Sequence, residues 1–503
     1  MSTLRTDTLQ TTDSSYTVQI ADLANAGNLR GDLLASNGAT RVGYGAGTVA
    51  SKLDSVSAQL LTSYTSVKQY GAIGDGVTDD TAAIQAAVNA SRRVYIPDGN
   101  YIVTSPIQVQ AGGAVIGAGM LKVRVQRKGV WAGPTFRIGL ANGTVSASDC
   151  SIEGMLLEQL HPGFVLGTST TMVDRLTAEQ SHIDCYGGYN AKFKNLWFQH
   201  GVYGLSLYGC VVTQIEDIRS FGAWDNKTPA VCEQKAVIRL GSNLSVAGHA
   251  FCTEVRMERV YIGTGAPSAP RVITVGTDIS YTDYENVGSK CALLVEAVEG
   301  LEIDNSYFGG CAEDCIQFIP STICTMISID NTFFDESYTS NIRFFPTSTP
   351  VVNITIGPGC RFNGQFHTRN AIRAEANSGS PVVVGMTIQG IFGNVLETMF
   401  DMEDAKAVVF IAPIVNNYNA KRSTTNSPII SAGAWFGPNC REIHVQGGLW
   451  GGGTNDWSTS NGCKWGPVFA SGTVGTCSGV RVILSSTITG GTPVGGISQT
   501  YPT

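Results

Sequence analysis

Ile303-Asp304-Asn305-Ser306-Tyr307-Phe308 is answered 26 residues later by Ile329-Asp330-Asn331-Thr332-Phe333-Phe334. Each copy places an apolar strand residue first, a turn residue two positions on, and an aromatic residue three beyond that. Looser copies start at Ile152, Phe193, Ile215, Met257, Ile356, Ile388, Ile411 and Val445. The second position holds Gly154, Asn195, Asp217, Asn305, Asn331, Pro358, Gly390, Pro413 and Gly447, with Arg259 the exception. Turn residues stacked at one corner are what a parallel β-helix coil requires. Its anchors are never closer than 22 residues, and their gaps are irregular. A propeller blade would repeat at roughly 40 residues with a tighter period, whereas a β-helix admits insertions at its corners. The aromatic position then predicts a core stack of Phe198, Phe221, Phe308, Phe334 and Phe362.

Composition agrees with an all-β reading. Only 15% of the 503 residues are charged, 59 are Gly, and 43% are hydrophobic. That is too few helix-forming charged residues for a long-helix protein and too much apolar mass for a disordered one. The net charge of −7 argues against nucleic acid as a partner and against an anionic membrane surface. No run approaches the roughly 20 apolar residues of a membrane span. The N-terminal thirty residues lack an apolar signal core, with Asp7 and Asp13 where one would begin. The 13 Cys form no metal-like CxxC pairs, and Cys311 and Cys315 are the nearest two. They are expected as buried, reduced thiols in a protein folded in a reducing cytosol.

Three regions are expected: a Ser/Thr/Asn/Ala/Gly-rich segment over 1–65, a β-helix over 66–450, and a short β-rich piece over 451–503. The β-helix should open with a capping helix at about 79–90, begun by Thr78 or Asp79 with Asp80 in its first turn. Asp75, Asp79 and Asp80 read as turn and cap residues rather than as a metal site, and no cofactor is expected.

The segment from Val67 to Tyr101, reading YGAIGDGVTDDTAAIQAAV and then VYIPDGNYIV, resembles the start of the pectate-lyase-like β-helix of bacteriophage tailspikes and capsular polysaccharide depolymerases. Thr3-Leu4-Arg5-Thr6-Asp7-Thr8-Leu9-Gln10 is similar to virion-anchoring segments of phage tail fibres and tailspikes. The resemblance is specific over about residues 1–120 and one of pattern beyond. It implies a homotrimer of right-handed parallel β-helices that binds, and usually cleaves, a bacterial capsular or O-antigen polysaccharide. It implies attachment to the phage tail, or to another tailspike, through residues 1–65. Such a protein is made in the host cytoplasm, rides on the virion tail and acts at the bacterial surface.

The candidate chemistry lies on adjacent coils. Aligning Phe308 with Phe334 sets Gly309-Gly310 level with Asp335-Glu336, while Glu313 and Asp314 follow in the same connection. Coils stack about 4.8 Å apart, so four carboxyl groups are expected on one wall. Glycoside hydrolysis needs two carboxyl groups in different environments, and close like charges raise one pKa. Asp335, Glu336, Glu313 and Asp314 are therefore the expected catalytic acid and base, against the reading that they are solvated loop acids. His367 and Arg369 after Phe362, Trp224 and Asp225 after Phe221, and His200 after Phe198 are expected to contact substrate. Tyr281 and Tyr284 belong to a long acidic insertion, Asp278 to Glu285, suited to sugar contacts or to a lyase base. Trp450, Trp457 and Trp465 suit either sugar stacking or burial at a trimer interface. Hydrolysis is favoured. β-Elimination on a uronate-containing capsule, or adhesion without turnover, are the alternatives.

Overall fold

The computed structural model describes residues 64–128, 133–142, 148–160, 181–199, 201–221, 235–243, 250–263, 270–275, 279–284, 289–311, 313–364, 368–395, 398–418, 432–452, 465–469, 475–478 and 481–483, with short strands at 8–10, 17–19, 43–44 and 47–48. The chain divides into two compact units, Met1–Thr65 and Ser66–Thr503. In the first, Thr8–Gln10 pairs antiparallel with Thr17–Gln19, and Gly43–Tyr44 with Gly47–Thr48.

The second unit is a right-handed parallel β-helix. One coil runs through Val298–Asp304, Tyr307–Gly309 and Asp314–Phe318. The next repeats it as Cys324–Asp330, Phe333–Phe334 and Ser340–Phe344. First strands pair with first strands, second with second and third with third, all parallel. First and second strands form one 25-stranded sheet among the described residues, and third strands a 12-stranded sheet. Parallel pairing continues past residue 450 through Trp465–Phe469 and Arg481–Ile483.

The anchors align as expected: Ile152, Phe193, Ile215, Met257, Ile303, Ile329, Ile356 and Ile388 form one ladder. The ladder then takes Phe410 rather than Ile411, and Val445 follows. Val408-Val409-Phe410-Ile411 is apolar at every position, so alternation does not specify which residues face inward. Burial decides it, because Phe410 is fully buried and Ile411 is 40% exposed.

Four to six residues further on, the second-strand ladder runs Leu157, Phe198, Ser220, Ile262, Phe308, Phe334, Phe362, Phe392, Val415 and Trp450. Ser220, not Phe221, holds its place, and its hydroxyl donates to the Phe198 carbonyl at 3.1 Å. Phe334 and Phe362 stack at 4.5 Å, as do Phe362 and Phe392. Trp450 is wholly buried on this ladder, so it is a core residue rather than a sugar platform or an interface residue.

On most coils the corner at the end of the first strand turns through a left-handed residue, the Gly357-Pro358-Gly359 turn being an exception. Asn195, Asp217, Arg259, Asn305 and Asn331 all have φ between 45° and 54°, so Arg259 adopts the same backbone as its Asn neighbours. A second left-handed line lies inside the first strands at Glu254, Gly300, Met326, Asn353, Gly385, Ala407 and Glu442, with φ from 51° to 79°.

The helix spans Thr81–Ala90 and buries Ile84, Ala87 and Val88. Its N-cap position is Asp80, one residue beyond Asp79 and two beyond Thr78, and Asp80 makes no side-chain cap bond. Its buried carboxylate instead accepts from the backbone N–H groups of Ile73 at 2.6 Å and Gly74 at 3.1 Å. Asp79 accepts from Thr81 N–H at 3.0 Å, and Asp75 from those of Val77 and Thr78 at 2.8 and 2.7 Å. Ten free, buried cysteines lie among the described residues. Burial pushes the Cys324 and Cys360 thiols up to about 12.

Candidate functional site

The candidate acids flank the bend between second and third strands. Phe308 pairs with Phe334, which brings Gly309 against Asp335. A Cβ on Gly309 would sit 2.8 Å from the Asp335 Cβ, so only Gly leaves room for this carboxylate. Asp335 Oδ2 accepts from the Tyr307 hydroxyl at 2.9 Å, and Oδ1 from Asn363 Nδ2 at 3.4 Å. Asn394 Nδ2 in turn donates to Asn363 Oδ1 at 2.7 Å, extending the array over a further coil. Burial, then the Asp335 charge, raises the Tyr307 pKa above its ordinary value, and Glu336 adds to this. Tyr307 is thus a donor to Asp335 and a poor base. Glu336 follows Asp335, and its carbonyl accepts from Gly310 N–H.

Glu313 and Asp314 lie across the bend, at the start of the third strand. Thr339 N–H donates to the Glu313 carbonyl at 2.7 Å, and Asp314 pairs with Ser340. The four acids therefore form two groups, Asp335–Glu336 before the bend and Glu313–Asp314 after it. Gln317 Nε2 ties the second group together, donating to Glu313 Oε2 at 3.0 Å and Asp314 Oδ2 at 2.9 Å. Lys290 Nζ lies 3.4 Å from Glu313 Oε1.

Asp314 is wholly buried. Its Oδ1 accepts from Ser340 N–H at 2.9 Å, and Arg343 Nη1 lies 3.6 Å from Oδ2. Burial pushes its pKa up to about 7, and Arg343 and Gln317 oppose that rise without cancelling it. Arg343 also donates from Nε to Glu375 at 2.7 Å and lies over the Phe345 ring. The two acids of this group thus occupy unlike environments, one dry and one partly wet.

Of the expected substrate contacts, Arg369 stands one coil beyond Thr339. Its N–H donates to the Thr339 carbonyl at 3.0 Å, and its guanidinium lies 5.6 Å over the Tyr338 ring. Tyr281 and Tyr284 belong to an antiparallel hairpin, Pro270–Val275 with Ile279–Tyr284, rather than to an irregular loop. His200, Trp224, Asp225, His367 and Trp457 lie outside the described residues. Tyr307, Asn363, Gln317, Arg343 and Glu375 were missed by sequence reasoning. Tyr307 had a signal, since it precedes the core residue Phe308 on a strand and must face outward. The others depend on third-strand register, which the repeat does not carry. Among the described residues no group of three or more His, Cys, Asp or Glu is placed to hold a metal.

Residues 64–218 match the family model described as rhamnogalacturonase A/epimerase, pectate lyase-like. This stretch is a pectate-lyase-like domain. A capsule K30/K69-specific depolymerase of Klebsiella phage K5-2 is 37% identical over 99 residues, 18% of this chain and 12% of the relative. A pre-neck appendage protein of Bacillus phage B103 is 44% identical over 55 residues, 11% of this chain and 6% of the relative. The chain thus spans a small fraction of the length of these relatives. The crystal structure of PfbA, a surface adhesin of Streptococcus pneumoniae, covers 83% of this chain and 89% of its own at 16% identity and a TM-score of 0.51. That likeness is one of fold.

Proposed function

We propose that the protein is a virion-borne phage enzyme that binds a bacterial surface polysaccharide, capsular or O-antigen, and depolymerises it by hydrolysis. The observation that carries this reading is Asp335, a half-buried carboxylate held by Tyr307 and Asn363 at a bend, with Glu336 next to it in the chain and Glu313 across the bend. Asp335 serves as base or nucleophile. Glu336 or Glu313 supplies the acid, and buried Asp314 positions Gln317 and Arg343 rather than touching sugar. The capsule-specific phage depolymerase among the relatives supports the substrate class. Elimination is less favoured because Tyr307, the phenol at the bend, has its proton held more tightly than usual. Residues 1–65 attach the chain to the phage tail, and the working form is a homotrimer.

The test is turnover of purified capsular polysaccharides, followed by viscosity and by mass spectrometry of products. Asp335→Asn should lower the rate by about 10²–10⁴-fold, the usual worth of a proton-transferring group, with thermal unfolding of the same sample nearly unchanged. Unsaturated uronate ends on the products would make it a lyase. Binding without any product would make it an adhesin. Full activity in Asp335→Asn would place the chemistry elsewhere.

A further inference from the structure

Each second strand contributes one outward residue just before its core residue, and pairing puts these in a single line. The line reads Trp197, Arg219, Tyr261, Tyr307, Phe333 and Arg361. Below Arg361 it turns aliphatic, with Ile391 and then Ile414. The inward partners Ile262, Phe308, Phe334 and Phe362 are at most 3% exposed, so the core gains nothing from aromatic residues on the outer face. Tyr261 is nevertheless 37% exposed, and Tyr307 and Phe333 are half-buried with ring centroids 5.6 Å apart and planes tilted by 30°. Three successive coils thus present aromatic rings to the outside, at the strand spacing of about 4.8 Å. That step is close to the advance per residue of an extended pyranose chain. An aromatic face takes the C–H face of a sugar, and an exposed row of such faces marks a contact surface.

Charge narrows the occupant. Arg361 is exposed and ends the aromatic run. Along the neighbouring first strands the acids Glu216, Glu258, Asp304 and Asp330 stack in one line. Glu216 and Glu258 are answered by Lys194 and Arg259, and Asp304 by Asn331. Asp304 and Asp330, on the coils of Tyr307 and Phe333, accept from the neutral donors Asn331 and Gly359, so an anionic substituent is repelled from this stretch of the first wall and drawn to Arg361. The line also passes Asp335 through the Tyr307 hydroxyl, at 2.9 Å.

We propose that Tyr261, Tyr307, Phe333 and Arg361 form a glycan-binding track along the helix axis that takes an acidic polysaccharide, sugar faces on the rings and a sugar carboxylate on Arg361. This rests on the reading of the chain as polysaccharide-acting and adds the class of polymer and the residue that selects it.

The experiment uses the full chain and a panel of purified bacterial capsular polysaccharides, acidic and neutral, each acidic one also in carboxyl-reduced form. Tyr261→Ala and Phe333→Ala should each weaken binding about ten-fold, as expected for loss of one aromatic contact. Ile414→Ala, beyond the track, should bind as the parent does. Arg361→Gln should lose the preference for the native polymer over its carboxyl-reduced form while binding the reduced form as the parent does. Parent-like binding by both alanine variants, with turnover intact, would overturn the track and leave the enzyme reading standing. A bound polymer whose carboxyl reduction changes nothing would overturn the acidic class. Binding of no polysaccharide by the parent would overturn the polysaccharide reading and the track with it. Thermal unfolding of each variant separates lost contacts from lost folding.

Discussion

Replacing Asp314 by Asn should change how stability depends on pH, in a direction fixed by its surroundings. The folded protein holds this carboxyl with a pKa of about 7 against an ordinary value of 3.8, chiefly because it is fully buried. The unfolded chain releases the proton near pH 4, while the native chain keeps it until about pH 7. Native Asp314 therefore binds more protons than unfolded Asp314 across that window, and its contribution is lost as pH rises. The contribution is fully present below pH 4, falls through the window and is gone above about pH 7. A shift of about three units corresponds to about 4 kcal/mol at 1.36 kcal/mol per unit, as an order of magnitude. Asp314→Asn has no such proton. Denaturant unfolding of parent and variant from about pH 4 to about pH 8 should show the parent's advantage shrinking by up to that amount. Ionisable groups remote from residue 314 are the same in both proteins and cancel in the difference. A difference that is flat, or that grows with pH, would refute the reasoning. The second outcome would mean that Arg343, 3.6 Å away, governs the carboxylate instead of its burial.

Phe334→Ala, which empties the ring stack between Phe308 and Phe362, should cost about 3–5 kcal/mol in denaturant unfolding, far more than loss of the half-buried Phe333 ring. Met326 is 60% exposed and held at a φ of 57° where the adjoining coils have Gly300 and Asn353. Met326→Asn should therefore raise stability by about 1 kcal/mol, and an unchanged unfolding midpoint would show the left-handed backbone carries no strain there. Light scattering should give a trimer mass, with Ile391, Ile411 and Ile414, each 38–40% exposed on the C-terminal coils, among the surfaces covered; a stable 53.2 kDa monomer at micromolar concentration would contradict this.

What the sequence discloses about this chain depends on how many constraints each residue satisfies. Asn305 and Phe308 are each over-determined: one must tolerate a left-handed backbone, the other must fill the space between two coils. Both requirements recur on most coils, so the repeat is legible. Where only one constraint acts, the reading slips. Ile411 and Phe410 are equally apolar, and Phe221 and Ser220 differ in the wrong sense for a core position, yet strand pairing assigns both inward places to the residue not expected. The left-handed line through Glu254, Met326, Ala407 and Glu442 leaves no trace, because those residue types adopt that backbone only under tertiary compulsion. The candidate site divides in the same way. Asp335 is legible because Phe334 fixes the register and Gly309 leaves the space beside it. Glu313 and Asp314 are adjacent in sequence and look alike, and only third-strand pairing buries one and leaves the other partly exposed. That difference leaves one carboxyl partly open to solvent and commits the other to Arg343 and Gln317. It arises from the position of Ser340 one coil away, which no local pattern in residues 313–314 encodes.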